Sequence, residues 1–179
     1  MKINYPWLYQ ISAEVTPLAQ DCGKLCQSIC CQAQEGKTLG MYLFPGEEVM
    51  FSGQEDWLVM EKHDCRLFDF PAEWQGSVYF MICTRPCPRN KRPLSCRLFP
   101  VTPHLLLDGS WILIYETMNL PYKCPLIEER RPLQKEFIEM AALVWQELLK
   151  DEKIRILVAE DSREREQEDW ENIEVLWPF

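Results

Sequence analysis

Nine cysteines dominate the chemistry available to this chain of 179 residues, and most of them are clustered. The stretch "CGKLCQSICC" at residues 22 to 31 holds Cys22, Cys26, Cys30 and Cys31. Thiols at this density form disulfides, bind metal ions, carry out redox chemistry or pack inertly in a core. Because nine is an odd number, internal disulfides cannot pair all of them.

The start of the chain bears on which of these chemistries applies. The first 20 residues contain no apolar run of signal-peptide length, and Pro6 and Pro17 interrupt them. No stretch reaches the roughly 18 apolar residues of a membrane span. We therefore expect a cytoplasmic protein without a membrane partner, whose thiols are kept reduced. Metal binding or redox chemistry is then favoured over disulfides and over inert packing of every thiol.

The spacing of Cys22, Cys26 and Cys30 restricts how they could share one ion. In a continuous helix, Cys22 and Cys30 would lie roughly 12 Å apart along the axis. Two sulfurs bonded to one zinc ion are at most about 4.6 Å apart. The segment must therefore turn back, with Gly23 as the expected position, or its cysteines must serve different partners. Adjacent cysteines seldom share one ion, so Cys30 and Cys31 are either a ligand beside a packing residue or ligands of different metals.

A second group of thiols lies in a proline-rich stretch, with Cys83 and Cys87 in "CTRPC" and Cys96 in "RNKRPLSCRLFP". Cys65 and Cys124 are isolated further candidates. Cys83 and Cys124 are the least favoured ligands, because the first continues an apolar run and the second lies far along the chain. Cations of this stretch could offset thiolate charge at a metal: Arg85, Arg89, Lys91, Arg92 and Arg97. The alternative interpretation is a solvated basic loop.

Other reactive residues are better explained as structure. His63 and Asp64 precede Cys65, but neighbours in an extended chain point to opposite faces, which argues against a catalytic dyad. His104, between Pro103 and a leucine run, is expected to be structural. The carboxylates near the end of the chain are expected to form a solvated helix face: Glu164, Glu166, Glu168 and Asp169.

Regular elements must position these thiols. Residues 132 to 149 have apolar residues at three- and four-residue spacing, which predicts a helix with Pro132 at its first position. Short apolar runs predict strands at residues 77 to 82 and 154 to 159. The apolar runs on either side of residues 108 to 110, "DGS", predict a hairpin. The prolines of residues 84 to 103 predict an irregular loop.

The last part of the chain is acidic but ends on an apolar stretch. Residues 151 to 179 have ten acids and four bases, and so contribute −6 of the overall charge of −9. An acidic chain binds nucleic acid poorly, so we expect no such partner. Residues 163 to 172 predict a short polar helix, and the final "IEVLWPF" is expected to dock on the domain. Alternatively, this acidic region, with Trp170 and Trp177, could bind a partner protein.

Together these elements predict an α+β protein. We expect a small irregular domain of short strands and loops built around a cysteine metal centre, plus C-terminal helices. Residues 1 to 131 are expected to form the cysteine-cluster metal-binding region. Residues 132 to 179 are expected to form a helical C-terminal region packed on it, within a single domain overall.

The order of the cysteines resembles a known pattern over roughly residues 22 to 100. It is similar to that of the YkgJ-like cysteine-cluster family, described as zinc- or iron-chelating proteins with a CxxCxxCC motif. The strongest parts are the vicinal pair Cys30-Cys31 and "RPLSCRLFP", which contains Cys96. Here the spacing is CxxxCxxxCC, one residue longer in each gap, and "CTRPC" duplicates what is usually a single cysteine.

The resemblance implies metal or iron–sulfur binding and no established reaction. It implies that Cys22 and Cys26 are the first two ligands, and that Cys65 and one of Cys83 or Cys87 are the isolated ones. A flagellin lysine methylase is similar to this family in its cysteine cluster.

We therefore expect a protein that binds zinc, iron or an iron–sulfur cluster through several thiols. The candidate ligands are Cys22, Cys26, Cys30, Cys31, Cys65, Cys83, Cys87, Cys96 and Cys124. One alternative is an enzyme with a redox or group-transfer role, such as a protein like the flagellin lysine methylase. Another is a zinc-stabilised protein-interaction module.

Overall fold

The computed structural model describes residues 2–32, 39–168 and 173–178. The α-helices in these ranges are α1 Tyr5–Ile11, α2 Gly23–Cys26, α3 Leu94–Leu98, α4 Pro125–Glu128, α5 Lys135–Leu148 and α6 Glu152–Glu168. The strands are β1 Gly40–Tyr42, β2 Leu58–Asp64, β3 Ser77–Cys83, β4 Val101–Leu105, β5 Trp111–Tyr115 and β6 Val175–Trp177. These helices and two antiparallel three-stranded sheets confirm the predicted α+β class.

The first sheet has the strand order β1-β3-β2 and contains the strand predicted at residues 77–82. Three methionines lie side by side across it and contribute to its core face: Met41, Met81 and Met60. Side chains alternate between the faces of a strand, so Tyr42 and Phe80 project from the opposite face, with ring centroids 4.8 Å apart. Because β3 ends at Cys83, this sheet positions one of the candidate thiols.

The second sheet, of order β4-β5-β6, confirms the hairpin predicted around residues 108–110. Gly109 has a φ of 83°, a left-handed conformation that glycine adopts without steric cost. The apolar end of the chain forms β6, and Trp177 stacks on Trp111 with ring centroids 4.6 Å apart. Docking of the chain end is thereby confirmed for β6, whereas Trp170 lies outside the described residues.

Helix α5 confirms the helix predicted at residues 132–149, but it begins later than expected. Phe137 and Leu148 are fully buried on its core-facing side. Pro132 does not occupy the first helical position. The backbone N–H of Gln134 instead donates to the carbonyl of Pro17 at 2.9 Å, which holds this residue in an extended conformation ahead of the helix.

Residues 154–159 belong to helix α6, so the strand predicted there is wrong. The polar helix predicted at residues 163–172 is the continuation of α6, as far as the described residues extend. Asp151 caps this helix, because its Oδ1 accepts hydrogen bonds from two following backbone N–H groups at 3.0 and 3.3 Å. Ile154 and Val158, four residues apart, are both buried and give α6 an apolar stripe.

Residues 84–103 are more regular than their prolines predict, since they contain α3 and the start of β4. Pro93 immediately precedes α3, where a missing N–H removes no helical hydrogen bond. Pro103 lies in β4, an edge strand. The backbone N–H of Leu105, two residues further on, points away from β5 and donates to the hydroxyl of Ser162. Because backbone groups alternate in direction along a strand, the nitrogen of Pro103 also points away from β5. The hydrogen bonds between β4 and β5 therefore need no donor at Pro103.

The main core contains residues from both predicted regions, 1–131 and 132–179. Leu8, Met81 and Phe137 are all 0 % exposed within it. A smaller cluster beside the first sheet contains Cys65, Trp74 and Val78. Throughout the described ranges, every helix falls short of the length and apolarity that crossing a bilayer requires.

Candidate metal centre

The segment of residues 22–31 folds back on itself. After α2, Gln27 and Ser28 take left-handed conformations with φ of 56° and 58°, and a 3₁₀ turn follows at Ile29–Cys31. The reversal therefore lies at residues 27 and 28, and its predicted position at Gly23 is wrong. The backbone N–H of Ser28 closes the turn by donating to the carbonyl of Gly23 at 2.9 Å.

Gly23 has a steric role in this reversal. A Cβ at this position would lie 2.5 Å from Oγ of Ser28, which is closer than such atoms approach one another. The absence of a side chain at Gly23 lets the turn pack onto the start of α2. All four cysteines of the segment consequently line one cavity.

Three further thiols follow strand β3. Cys83 is its last residue, Cys87 lies in the loop after it, and Cys96 is in the middle of α3. The sulfur of Cys96 lies 3.2 Å from the sulfur of Met41. Met41 pairs with Met81, so both project from the same face as Cys83, which is two residues further along β3. Cys83 and Cys96 therefore lie at the same end of the first sheet.

Cys124 reaches the cluster from a distant part of the sequence. It immediately precedes α4, and its carbonyl accepts a hydrogen bond from the backbone N–H of Ile127 at 3.0 Å. Its side chain is buried, at 7 % exposed. It lines the same cavity as the cysteines of residues 22–31. The two least favoured ligand candidates, Cys83 and Cys124, are thus both brought to the cluster.

The shared cavity has a volume of about 30 Å³. The thiols that line it are Cys22, Cys26, Cys30, Cys31 and Cys124. Asp21, Arg92 and Tyr122 contribute polar groups to its wall. The cavity therefore combines thiols from two parts of the chain around one small space.

The vicinal thiols Cys30 and Cys31 have their sulfurs 3.9 Å apart. A disulfide requires about 2.0 Å, and all nine cysteines of the chain are free. A hydrogen bond from Cys30 lowers the pKa of the Cys31 thiol to about 6, with Arg92 adding to this effect and burial opposing it. The same hydrogen bond, together with burial, raises the pKa of Cys30.

The thiols at the end of the first sheet interact electrostatically with one another. Burial, followed by the charges of Cys31, Cys87 and Cys83, raises the pKa of Cys96. Burial, followed by the charge of Cys87, raises the pKa of Cys83 to about 11. Ionising all of these thiols together is therefore unfavourable unless positive charge lies nearby.

The thiols around the cavity form a second interacting set. Burial, followed by the charge of Asp21, raises the pKa of Cys22, and Cys26 and Cys124 add to the effect. Burial likewise raises the pKa of Cys124, with Cys26 again adding to it. A bound cation would relieve the repulsion, because a metal deprotonates its coordinating thiols.

Two of the five predicted cations lie beside the thiols, Arg89 and Arg92. Both approach Asp21, at 4.0 and 3.7 Å. The Nε atom of each is buried and has no hydrogen-bond partner among the described residues. Burial lowers the pKa of Arg92, but Cys87, Asp21 and Cys96 together outweigh burial and raise it. Arg92 therefore places a permanent positive charge among the thiols.

The other three predicted cations lie elsewhere, so their expected part in offsetting thiolate charge is not supported. Arg85 and Lys91 are exposed, and Arg85 forms a surface ion pair. Arg97 is only 1 % exposed, and its guanidinium donates to the carbonyls of Asn90 and Tyr9 at 2.8 and 2.9 Å. Arg97 therefore fixes the path of the backbone around the thiols.

A buried carboxylate that sequence reasoning missed supports the same loop. Glu47 is 0 % exposed and accepts hydrogen bonds from the hydroxyl of Tyr9 at 2.7 Å and the backbone N–H of Leu94 at 2.8 Å. It thereby joins α1 to the first residue of α3, the helix that carries Cys96. Nothing in "PGEEVM" distinguishes Glu47 from its neighbour Glu48, because its partners are distant in sequence.

Cys65 lies apart from the other eight thiols. The preceding residue, Asp64, pairs with Ser77 at the start of β3, whereas Cys83 is at the end of that strand, roughly 20 Å away. Cys65 is buried and donates to the carbonyl of Trp74 at 3.3 Å. Its predicted role as a ligand alongside the others therefore has no support in the geometry.

His63 does not form a dyad with Cys65, in agreement with the sequence argument. Its Nδ1 lies 3.0 Å from the hydroxyl of Tyr42, and its Nε2 lies 3.0 Å from the carboxylate of Glu61. The imidazole is thus engaged on the outer face of the first sheet. Both imidazole nitrogens therefore contact oxygen atoms of neighbouring side chains, and neither contacts the Cys65 thiol.

The buried His104 has a structural position, as expected. It is 0 % exposed, and its Nε2 lies 3.6 Å from the carboxylate of Glu166. Glu166 reaches His104 from the surface, and both Glu164 and Glu166 are exposed, as predicted. The side chain of Glu168 and residue Asp169 lie outside the described residues.

A larger cavity of about 530 Å³ lies beside the cysteine-lined one. The two cavities share Tyr122 and Cys124 as wall residues. Charged groups of both signs surround the larger one: Lys123, Arg130, Arg165, Glu116, Glu128 and Glu174. A small molecule bound there would contact the wall of the thiol cluster.

The side chains of the cluster are not oriented for metal binding. Within residues 2–32, 39–168 and 173–178, no group of three or more histidine, cysteine, aspartate or glutamate side chains is arranged to hold a metal ion. The χ1 torsion of cysteine has three staggered wells, so a thiol can change direction while its backbone stays in place. Binding at this cluster therefore requires rotation of the thiols toward a common point.

The resemblance to the cysteine-cluster family depends on residues that the fold brings together. Cys30, Cys31 and Cys96 belong to one cluster of thiols, and Arg92 lies among them. Cys65, which the resemblance also includes, lies outside that cluster. Membership of the family stays a prediction. The chain matches no family model, no curated protein and no solved structure.

Proposed function

We propose that this protein binds metal through a multi-thiolate site. The observation that carries the proposal is the convergence of eight cysteines from three separate parts of the chain, residues 22–31, residues 83–96 and Cys124. Inert packing does not require such convergence, since packed cysteines behave as ordinary small apolar residues. Metal ligation does require it, because the ligands of one ion must lie within a few ångströms of each other.

The charges around the thiols support a bound cation. Coordinated cysteines are thiolates, yet burial and mutual repulsion raise the pKa values of Cys22, Cys83, Cys96 and Cys124. Arg92 partly offsets this repulsion. A divalent cation would offset much more of it and would favour the thiolate form outright.

Zinc and iron–sulfur clusters are both compatible with ligation by cysteine alone. A structural zinc ion supplies cross-links between chain segments, and an iron–sulfur cluster supplies electron transfer.

The direct test is elemental analysis of the protein purified without added metal. We expect stoichiometric zinc or iron, and a sharp loss of it in Cys22→Ser, Cys26→Ser and Cys96→Ser. Cys65→Ser is the matched control, because Cys65 is a buried thiol outside the cluster. Substoichiometric metal together with nine freely titrating thiols in the native protein would contradict metal binding.

A second candidate function is an enzyme with a redox or group-transfer role. The larger cavity favours it, because its volume of about 530 Å³ lies in the range of small-molecule sites and its wall includes Cys124. The electron-transfer form of this function needs a coloured centre. A broad visible absorption band that dithionite bleaches under anaerobic conditions would support it, and a colourless protein containing only zinc would exclude it.

A further inference from the structure

We propose that the eight clustered cysteines form two separate four-thiolate centres, which divide the vicinal pair between them. The first centre contains Cys22, Cys26 and Cys124 with one member of the pair Cys30-Cys31. The second contains Cys83, Cys87 and Cys96 with the other member. This division rests on the proposed function, since it specifies how the thiols that bind metal are shared.

The first set is defined by the small cavity. Cys22, Cys26 and Cys124 all line it, and so does the vicinal pair. The three cysteines of residues 83–96 are not among the described residues that form its wall. An ion in this cavity would therefore take ligands from residues 22–31 and from Cys124.

The second set is defined by the end of the first sheet. Cys83 projects from the same face as Met41 and Met81, and the sulfur of Cys96 lies 3.2 Å from that of Met41. Cys87 follows Cys83 by only four residues. An ion between β3 and α3 would thus meet three thiols from this side, and a tetrahedral site needs one more.

The local backbone lets the vicinal pair supply one ligand to each centre. Cys30 and Cys31 belong to a 3₁₀ turn, in which successive side chains point roughly 120° apart. Both members of the pair line the small cavity. Both also interact with Cys96 of the second set, so either thiol can serve either centre.

Two centres agree with the number of clustered thiols and with the position of Arg92. Structural zinc takes four ligands, so a single ion would leave four of the eight thiols unused. Two centres use all eight and leave Cys65 outside, where it already has a hydrogen-bond partner. Arg92 lies between the sets, because its charge acts on Cys22 and Cys31 as well as on Cys83 and Cys96.

The test is the number of ions bound by the whole chain and by variants of each set. The metal-free, reduced protein is titrated with zinc and examined by native mass spectrometry. We expect the wild type to bind two ions. Cys26→Ser and Cys87→Ser should each bind one, the double variant none, and the control Cys65→Ser two. Circular dichroism of each variant identifies those that keep the helical signal of α5 and α6.

The outcomes separate this division from the proposed function. One ion per wild-type chain would overturn the two centres and leave metal binding intact, whereas no bound ion would contradict both. Loss of both ions in each folded single variant would mean one shared centre and would also overturn the division. If either variant fails to fold, cobalt titration of the wild type decides the matter, because two centres saturate at two equivalents and one centre saturates at one.

Discussion

Helix α5 and the segment of residues 22–31 differ in what holds them in place. α5 has eight buried residues and lies against the main core. In helix α2 and the 3₁₀ turn at Ile29–Cys31, every side chain is at least partly exposed. Each buried large apolar side chain stabilises a fold by about 1.5–3 kcal/mol, while ordering each residue costs about 1–2 kcal/mol. Burial of side chains can therefore hold α5, whereas residues 22–31 need another source of stability.

Bound metal would supply that stability. Removing the metal should therefore destabilise residues 22–31 far more than α5, which is the largest effect we expect. Structural zinc contributes about 10–16 kcal/mol in small zinc-dependent folds. We expect a chelator to abolish the hydrogen-exchange protection of residues 22–31 while α5 keeps most of its own. Equal loss of protection in both regions would mean that they unfold as one unit. Unchanged protection at residues 22–31 would mean that metal does not hold them.

Phe137→Ala should instead weaken α5, because it removes a fully buried ring from that helix. Substitutions of this kind cost about 3–5 kcal/mol. We expect the free energy of unfolding, measured in urea, to fall by that amount whether or not metal is bound. Leu143→Ala is the matched control, because Leu143 is on the same helix and 40 % exposed. Similar losses in the two variants would contradict the assignment of the core.

Glu47 connects the two regions, so Glu47→Gln should have an intermediate effect. The amide cannot accept all the hydrogen bonds that Tyr9, Leu94 and Phe44 donate to the carboxylate, and an unsatisfied buried group costs about 1–3 kcal/mol. Urea unfolding should detect this loss. Glu48→Gln, on the same turn, is the control and should change stability little.

The pH dependence of the Glu47→Gln effect follows from burial, which raises the pKa of Glu47. A carboxyl whose pKa is higher in the folded than in the unfolded state contributes stability below its unfolded pKa. That contribution is lost as the pH rises through the folded pKa. The stability difference between wild type and Glu47→Gln should therefore narrow with rising pH. A difference that stays constant with pH would show that Glu47 has the same pKa in both states.

The smallest expected effect is chemical and concerns Cys31 alone. Its pKa is lowered to about 6, so in the metal-free protein its thiolate persists at a pH where an ordinary thiol, of pKa about 8.5, is protonated. Alkylation by iodoacetamide, followed by peptide mass spectrometry, should therefore rise through pH 6 at Cys31. Cys30→Ala removes the hydrogen-bond donor and should move this transition upward. If alkylation of Cys31 in the wild type instead rose near the ordinary thiol pKa, the hydrogen bond between Cys30 and Cys31 would be contradicted.

The sequence correctly predicted those elements whose signal lies within one short stretch of residues. The three- and four-residue spacing in α5 and the Asp-Gly turn between β4 and β5 are each contained in one short segment, and both predictions are confirmed. The strand predicted at residues 154–159 failed because a six-residue apolar run fits a buried helix equally well. Asp151, the cap that decides in favour of the helix, lies outside that run.

Which isolated cysteines join the cluster could not be predicted from the sequence, because this depends on contacts between residues that are far apart in the chain. Cys65 and Cys124 are both isolated, and no local pattern distinguishes them. The strand pairing of Asp64 with Ser77 keeps Cys65 at the far end of β3, while the course of the chain after β5 returns Cys124 to the cavity. The clustering of the other thiols was predictable because it is already present in their spacing.

The buried guanidinium of Arg97 has a consequence for the rate at which metal could be captured. Its hydrogen bond to the carbonyl of Tyr9 spans 88 residues, and closing a loop of that length costs about 4 kcal/mol of chain entropy. The contacts that close this loop need no metal, since Tyr9 and Leu98 belong to the main core. An arriving ion therefore meets the thiols of residues 83–96 on a chain segment already held in position, and only residues 22–31 are left to order as the ion binds.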